Sequence, residues 1–215
     1  MKQQANLNIE DILEIQQGII YSGRPKDEVF SNLPINSLYK KCLDGRDVKK
    51  WYINWAVKAE NRYIEYTKKL HRPREERLFL AKEKLLLPRK STKISLGYDD
   101  QQFYVLNTAY IILLKDNQIT KNLKLKGILA ILNSNLINYY YQNVYLGWQI
   151  TIPAFNSLPL KYDLAIQDKL VACVDEILCN RGKDISAIEE RLNTIVYNLY
   201  GLTNEEISIV EQSVK

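Results

Sequence analysis

Asp44, Asp47 and Lys49, in the segment LDGRDVKKW at 43–51, come closest in type and spacing to a catalytic set. Two carboxylates ahead of a lysine are what a minimal magnesium-dependent nuclease uses to hold its ion and neutralise a phosphate. The pattern is short, and Asp44-Gly45 also reads as a turn. In that reading Arg46, Lys49 and Lys50 point outward, and cations so placed contact phosphates without reading a base sequence. The single histidine, His71, is followed by Arg72, Pro73 and Arg74. Set in a basic loop, it reads as a surface or phosphate-facing residue rather than a general base.

Other signatures of catalysis or cofactor binding are missing. The chain has no phosphate-binding P-loop, no G-x-S-x-G elbow and no Gly-rich strand-to-helix turn. Cys42, Cys173 and Cys179 are odd in number, and the nearest pair is six apart, unlike a zinc-binding spacing. They read as reduced, partly buried thiols.

Charge is unevenly distributed. The net value is +5, yet 17 Lys or Arg stand against 7 Asp or Glu between Tyr39 and Tyr98. From Leu160 onward there are 6 basic and 10 acidic residues. A basic region beside an acidic one points to one surface that meets a polyanion and another that does not. A hydrophobic content of 46% is enough for a core and argues against disorder. No apolar stretch approaches the roughly 20 residues that span a bilayer. The start, MKQQANLNIED, lacks the apolar segment of a signal peptide. The expectation is a soluble, cytoplasmic chain with no membrane partner.

These residues need elements to position them. Gly18 and Gly23 bracket IIYS, a strand entering a loop. Trp51–Trp55 and Arg62–Tyr66 read as short strands, and Pro73 as the opening of a short helix through REERLFLA. Lys84–Pro88, Ile94–Tyr98 and Phe103–Lys115 read as further strands, the last two separated by a turn at Asp99-Asp100. Leu125, Ile128, Leu129, Leu132, Leu136, Tyr139 and Tyr140 recur at three and four. That spacing predicts one amphipathic helix of about five turns. Leu164–Leu178 and Ile185–Tyr200 repeat the helical period. Gly201 fits a left-handed C-cap, and Thr203 with Glu206 a capping box for a last helix. The expected fold class is α+β: a mixed β-sheet body flanked by helices over 1–160, and a C-terminal helical tail over 161–215 docked on it.

Between two apolar runs, Arg89, Lys90, Ser91, Thr92 and Lys93 place three cations and two hydroxyls on one connection, a good surface for phosphates or base edges. Tyr139, Tyr140 and Tyr141 are consecutive and cannot all face a core at about 100° per residue. Tyr145, Gly147, Trp148, Gln149 and Thr151 then form a loop of aromatic bodies and hydrogen-bonding ends, with Trp148 itself expected to pack under the loop. The run from Leu106 to Leu160, read as LNTAYIILLK, GILAILNSNLINYYYQN and TIPAFNSLPL, follows LDGRDVKKW at 43–51 and LLLPRKSTKISLGYDD at 85–100. That ensemble resembles the TaqI-like C-terminal specificity domain, the target-recognition domain of adenine-N6 DNA methyltransferases and of type IIG restriction-modification enzymes fused to them. The resemblance covers roughly residues 10–160. NTIVYNLYGLTNEEISIVEQS in the tail resembles the endings of fused restriction–modification proteins.

The resemblance implies sequence-specific binding of double-stranded DNA and no chemistry by this chain. Arg46, Lys49, Lys50, Arg89, Lys90, Thr92 and Lys93 would supply phosphate contacts. Tyr145, Gln149 and Thr151 belong to a loop that lies near the DNA in the family. Gln149 and Thr151 are the leading candidates for reading bases, since Gln can pair with adenine through two hydrogen bonds. Asn133, Ser134 and Asn135 match the family's helix signature and are expected to be structural. All six prolines are isolated, so the Asn/Asp-Pro-Pro-Tyr/Phe loop that holds a flipped adenine is absent. No cofactor is then expected in this chain, and S-adenosylmethionine would sit on a methyltransferase or nuclease catalytic domain in cis or in trans. The chain starts at Met1 without that half, as an excised domain or a separately encoded specificity subunit. The rival readings are a protein-interaction module with an incidental basic face and the minimal magnesium nuclease.

Overall fold

The computed structural model describes residues 5–55 and 60–213. Its centre is a strand whose residues are apolar on both faces. In β6 (Lys84–Pro88), Leu85 and Leu87 enter one core while Leu86 enters another. Its neighbour β9 (Ala109–Leu114) divides in the same way, Tyr110 and Ile112 to one side, Ala109 and Ile111 to the other. Side chains alternate across a strand, so a continuous apolar run is what a sheet covered on both faces requires.

Three more strands complete that sheet: β1 (Leu13–Gln17), β4 (Trp51–Tyr52) and β7 (Gly97–Asp99). The order is β1-β9-β6-β7-β4, antiparallel except for the β7–β4 pair. A smaller mixed sheet contains β2 (Phe30–Ser31), β3 (Tyr39–Leu43), β5 (Tyr63–Glu65) and β8 (Tyr104–Val105), in the order β2-β5-β3-β8. It packs on the Leu86–Ile111 face with Phe79, from the short α3 (Arg77–Leu80), stacked on Tyr104 at 4.5 Å. Two further single-turn helices lie near the start, α1 (Ile9–Ile12) and α2 (Lys26–Val29). At one edge of this layer, Lys84 and Asp99 form an ion pair at 2.7 Å with both side chains 0% exposed. Lys84 also donates to Phe79 O, and Asp99 accepts from the N–H groups of Gln101 and Phe103, so the buried charges are compensated.

Helices cover the other face. The five-turn helix read from the apolar stripe is two helices, α4 (Leu125–Leu132) and α5 (Asn135–Val144). The stripe continues through the break, which is why periodicity alone missed it. Ser134 caps α5 by accepting from Ile137 N, while its hydroxyl donates to Ile131 O. The break lets Asn133 and Asn138 face one extended segment. Asn133 accepts from Leu96 N and donates to Leu96 O, both at 2.8 Å; Asn138 does the same with Ile94, at 2.8 and 3.0 Å. Two buried amides thus act as the missing neighbouring strand for Ile94–Leu96, and the regular strand begins only at Gly97.

Other boundaries also shift. The run Phe103–Lys115 is two strands, β8 and β9, separated by a turn at Leu106–Thr108. The strand near Gly18 ends before it, and Ile19 and Ile20 form only single bridges, to Leu106 and Arg72. The helix after Pro73 begins at Arg77, because Arg74 adopts φ +70 and its guanidinium bonds to Gly18 O and Gln17 Oε1.

The short α6 (Ile152–Asn156) leads to the long α7 (Leu164–Cys179), α8 (Ser186–Tyr200) and α9 (Asn204–Ser213). Gly201 takes φ +68, the left-handed cap, and Thr203 and Glu206 exchange the two bonds of a capping box. Leu170, Val174, Leu192 and Val196 enter the same core as Leu85 and Ile128. The passage from 160 to 161 is tied down by Tyr200, which donates to Pro159 O at 2.6 Å and accepts from Lys161 N at 2.8 Å. Cys42 and Cys173 are buried thiols, whereas Cys179 is exposed.

Candidate functional site

The register places the C-terminal ends of β1 and β6 beside the N-terminal end of β9, since Gln17 faces Tyr110 and Pro88 faces Ala109. The loops leaving these ends share one rim of the larger sheet. Gly45, in the turn after β3, donates its N–H to Thr108 Oγ1 at 2.8 Å. Thr108 O accepts from Arg89 N at 2.9 Å, and Arg89 O accepts from Ile150 N at 2.8 Å. Segments from four regions of the sequence are therefore linked in series: 44–47, 106–108, 89–93 and 145–151. Gly45 is required by the approach, because a Cβ there would lie 2.7 Å from Thr108 O.

The 44–47 turn is built by its carboxylates. Asp44 Oδ1 accepts from Arg46 N at 2.8 Å, and Asp47 Oδ2 from Asp44 N at 2.9 Å. Burial raises the Asp47 carboxyl above its ordinary value, opposed by the cation of Arg62, 3.8 Å away. Both carboxylates are buried, and their work here is to shape the turn. No cluster of three acidic, His or Cys side chains suited to a metal occurs among the described residues.

Arg46 stands out from this turn with its side chain 81% exposed, an ion pair to Asp44 notwithstanding. It borders a cleft of about 580 Å³ lined also by Tyr21, Lys26, Asn61, Asn107 and Thr108. Lys49 is half-buried. Lys50 is turned away from the rim and ion-pairs with Glu189 of α8 at 2.7 Å. Arg89 is half-buried: its guanidinium donates to Asn107 O at 2.9 Å and lies 5.5 Å from the Tyr110 ring, so it braces the rim from beneath. Lys90, Thr92 and Lys93 are exposed. Ser91 shapes their turn, accepting from Lys93 N and donating to Lys93 O.

The 145–151 loop is partly structural. Tyr145 packs beside Tyr141, with ring centroids 5.3 Å apart, and its hydroxyl bonds to Ser157. Thr151 is exposed but caps α6 through a bond from Ala154 N at 3.3 Å. Gln149 is half-buried between them, and Trp148, expected under the loop, is instead exposed, with the Lys90 ammonium 5.6 Å from its ring. The rim thus joins Arg46, Arg89, Lys90, Thr92, Lys93 and the 145–151 loop and leaves Lys50 outside. Sequence reasoning did not mark Thr108, which links three of the segments, or Lys26, which lines the cleft, as functional. Each lies far along the chain from the residues it meets.

Two mixed sheets, helices on one face and a rim of linked loops make an α+β domain of the kind that presents variable side chains from a rigid frame. The chain belongs to the TaqI-like C-terminal specificity domain family, whose model matches residues 40–160. Among solved structures it is similar to the type IIL restriction-modification enzyme MmeI, solved in complex with DNA: TM-score 0.58, 13% identity, covering 95% of this chain and 35% of that one. It is similar also to the type IIG restriction endonuclease BpuSI, with TM-score 0.53 and 10% identity over 93% of this chain and 31% of that one. These likenesses are of fold, and the chain spans about a third of the length of either enzyme. No curated protein matches it.

Proposed function

We propose that this chain is the DNA target-recognition module of a restriction–modification adenine-N6 methyltransferase. It binds double-stranded DNA with the linked rim and holds it for a catalytic domain that carries S-adenosylmethionine. Arg46, Lys90 and Lys93 bind phosphates, Thr92 supports them, and Gln149 reads a base edge from a loop fixed by Tyr145 and Thr151. Arg89 acts as a brace more than as a direct contact.

The single observation that carries the reading is the serial linkage of Gly45, Thr108, Arg89 and Ile150. It gathers cations from distant parts of the chain onto one rim, in a fold belonging to a specificity-domain family. Titration of the full chain with a random-sequence duplex across a salt series tests it. Affinity should fall by about 0.9 log units per log unit of salt for each phosphate contact. Removing Lys90 or Lys93 should lower that slope by about one contact each. A flat salt response sinks the reading.

A further inference from the structure

The tip of the 144–148 segment turns apolar side chains to solvent beside a cationic turn. Leu146 is 95% exposed, Trp148 64% and Val144 47%. Between Val144 and Leu146, the ring of Tyr145 packs inward on Tyr141. Val144 closes α5, Tyr145 leaves it in an extended conformation, and Leu146 and Trp148 follow on the exposed loop.

Both ends of this segment are held. Tyr145 N donates to Tyr141 O at 2.8 Å, and its hydroxyl bonds to Ser157. Ile150 is 0% exposed, with its N–H on Arg89 O and its carbonyl accepting from Tyr110 at 3.2 Å. The chain forgoes the stabilisation of burying a leucine in its core. Nothing in the bracing requires that leucine.

We propose that Leu146, backed by Trp148, is an apolar wedge that enters a base step of double-stranded DNA. The proposal rests on the DNA-binding reading above and adds a contact that phosphate binding does not supply. Leucine is among the side chains that insert between base pairs and partly unstack them. The Lys90 ammonium, 5.6 Å from the Trp148 ring, matches a phosphate that flanks such a step, and the exposed Lys93 lies on the same turn as Lys90. A protein partner seated on the apolar tip would instead have to desolvate those ammonium groups.

The test uses the full chain and two labelled duplexes of one random sequence, fully paired or carrying a central C·C mismatch. A mismatch has already lost part of its stacking, so a wedge should bind it about tenfold more tightly, a difference of about 1.4 kcal/mol. Leu146→Ser should equalise the two affinities and leave the salt slope unchanged. Equal affinities in the unmutated chain, or a preference that survives Leu146→Ser, overturn the wedge, while a steep salt slope leaves the DNA reading standing. Absence of salt-dependent binding to either duplex overturns the wedge and the DNA reading together.

Discussion

The indole N–H of Trp51 donates to Glu189 Oε1 at 2.6 Å, joining β4 to the first turn of α8. Lys50 reaches the same oxygen at 2.7 Å and lies 5.2 Å from the Trp51 ring. Trp51 holds φ +81, a conformation a bulky residue adopts only where its surroundings fix it. Its Glu189 bond, its burial and its backbone bond to Leu96 supply that constraint.

Glu189→Ala should therefore destabilise the fold by about 2 kcal/mol, the range of a hydrogen bond to a charged group, read as a lowered urea midpoint with an unchanged m-value. Lys50→Ala should change DNA affinity less than Lys90→Ala, because Lys50 is already occupied by Glu189.

Asn138→Leu removes the partner of both backbone groups of Ile94. Each buried group left unsatisfied costs about 1–3 kcal/mol, so the variant should lose several kcal/mol in denaturant unfolding despite its similar size and added apolarity. Asn133→Leu should cost less, because Leu96 O keeps its bond from Trp51 N and only the Leu96 N–H loses its partner. A loss below about 0.5 kcal/mol in both, the scale of an ordinary surface change, would mean that these amides do not hold the segment.

Gly45→Ala places a methyl group against a backbone oxygen that is itself fixed by Arg89. Overpacking of this kind costs about 1–3 kcal/mol. Weaker DNA binding should accompany it, since the 44–47 turn must move away from Thr108. The check is affinity measured beside a circular-dichroism spectrum that shows the fold retained.

Tyr162 gives a pH dependence with a definite sign. Burial is the main cause that pushes its hydroxyl up to about 12, against about 10 in an unfolded chain. Between those values the folded state keeps a proton that the unfolded state has lost, so stability falls as pH rises through the window and is fully present below it. Tyr162→Phe should flatten that decline by about one proton, measured by denaturant titrations at successive alkaline pH values.

Much of the frame was legible because burial leaves a periodic record. The triple leucine at 85–87 marks a strand buried on both faces, and the three-and-four spacing of 125–140 marks the helical face correctly. The break within that helix was not legible as a break, since Asn133 and Ser134 interrupt the backbone without interrupting the apolar stripe. The candidate site was legible only in pieces. Cations and hydroxyls announce surface turns, but which of them meet depends on strand register and on ties such as Thr108 to Gly45. Lys50 shows the same limit, because its partner lies on a helix more than a hundred residues away.

The ties along the rim run chiefly through the main chain. Arg89 joins Thr108 and Ile150 with its own N–H and carbonyl, and Gly45 contributes a backbone N–H. Exchanging the side chains at 46, 90, 93 or 149 would leave every one of those bonds in place. The rim is in that sense a socket with replaceable contacts, in which a new preference can be written at the surface while the mount that holds it stays as it is.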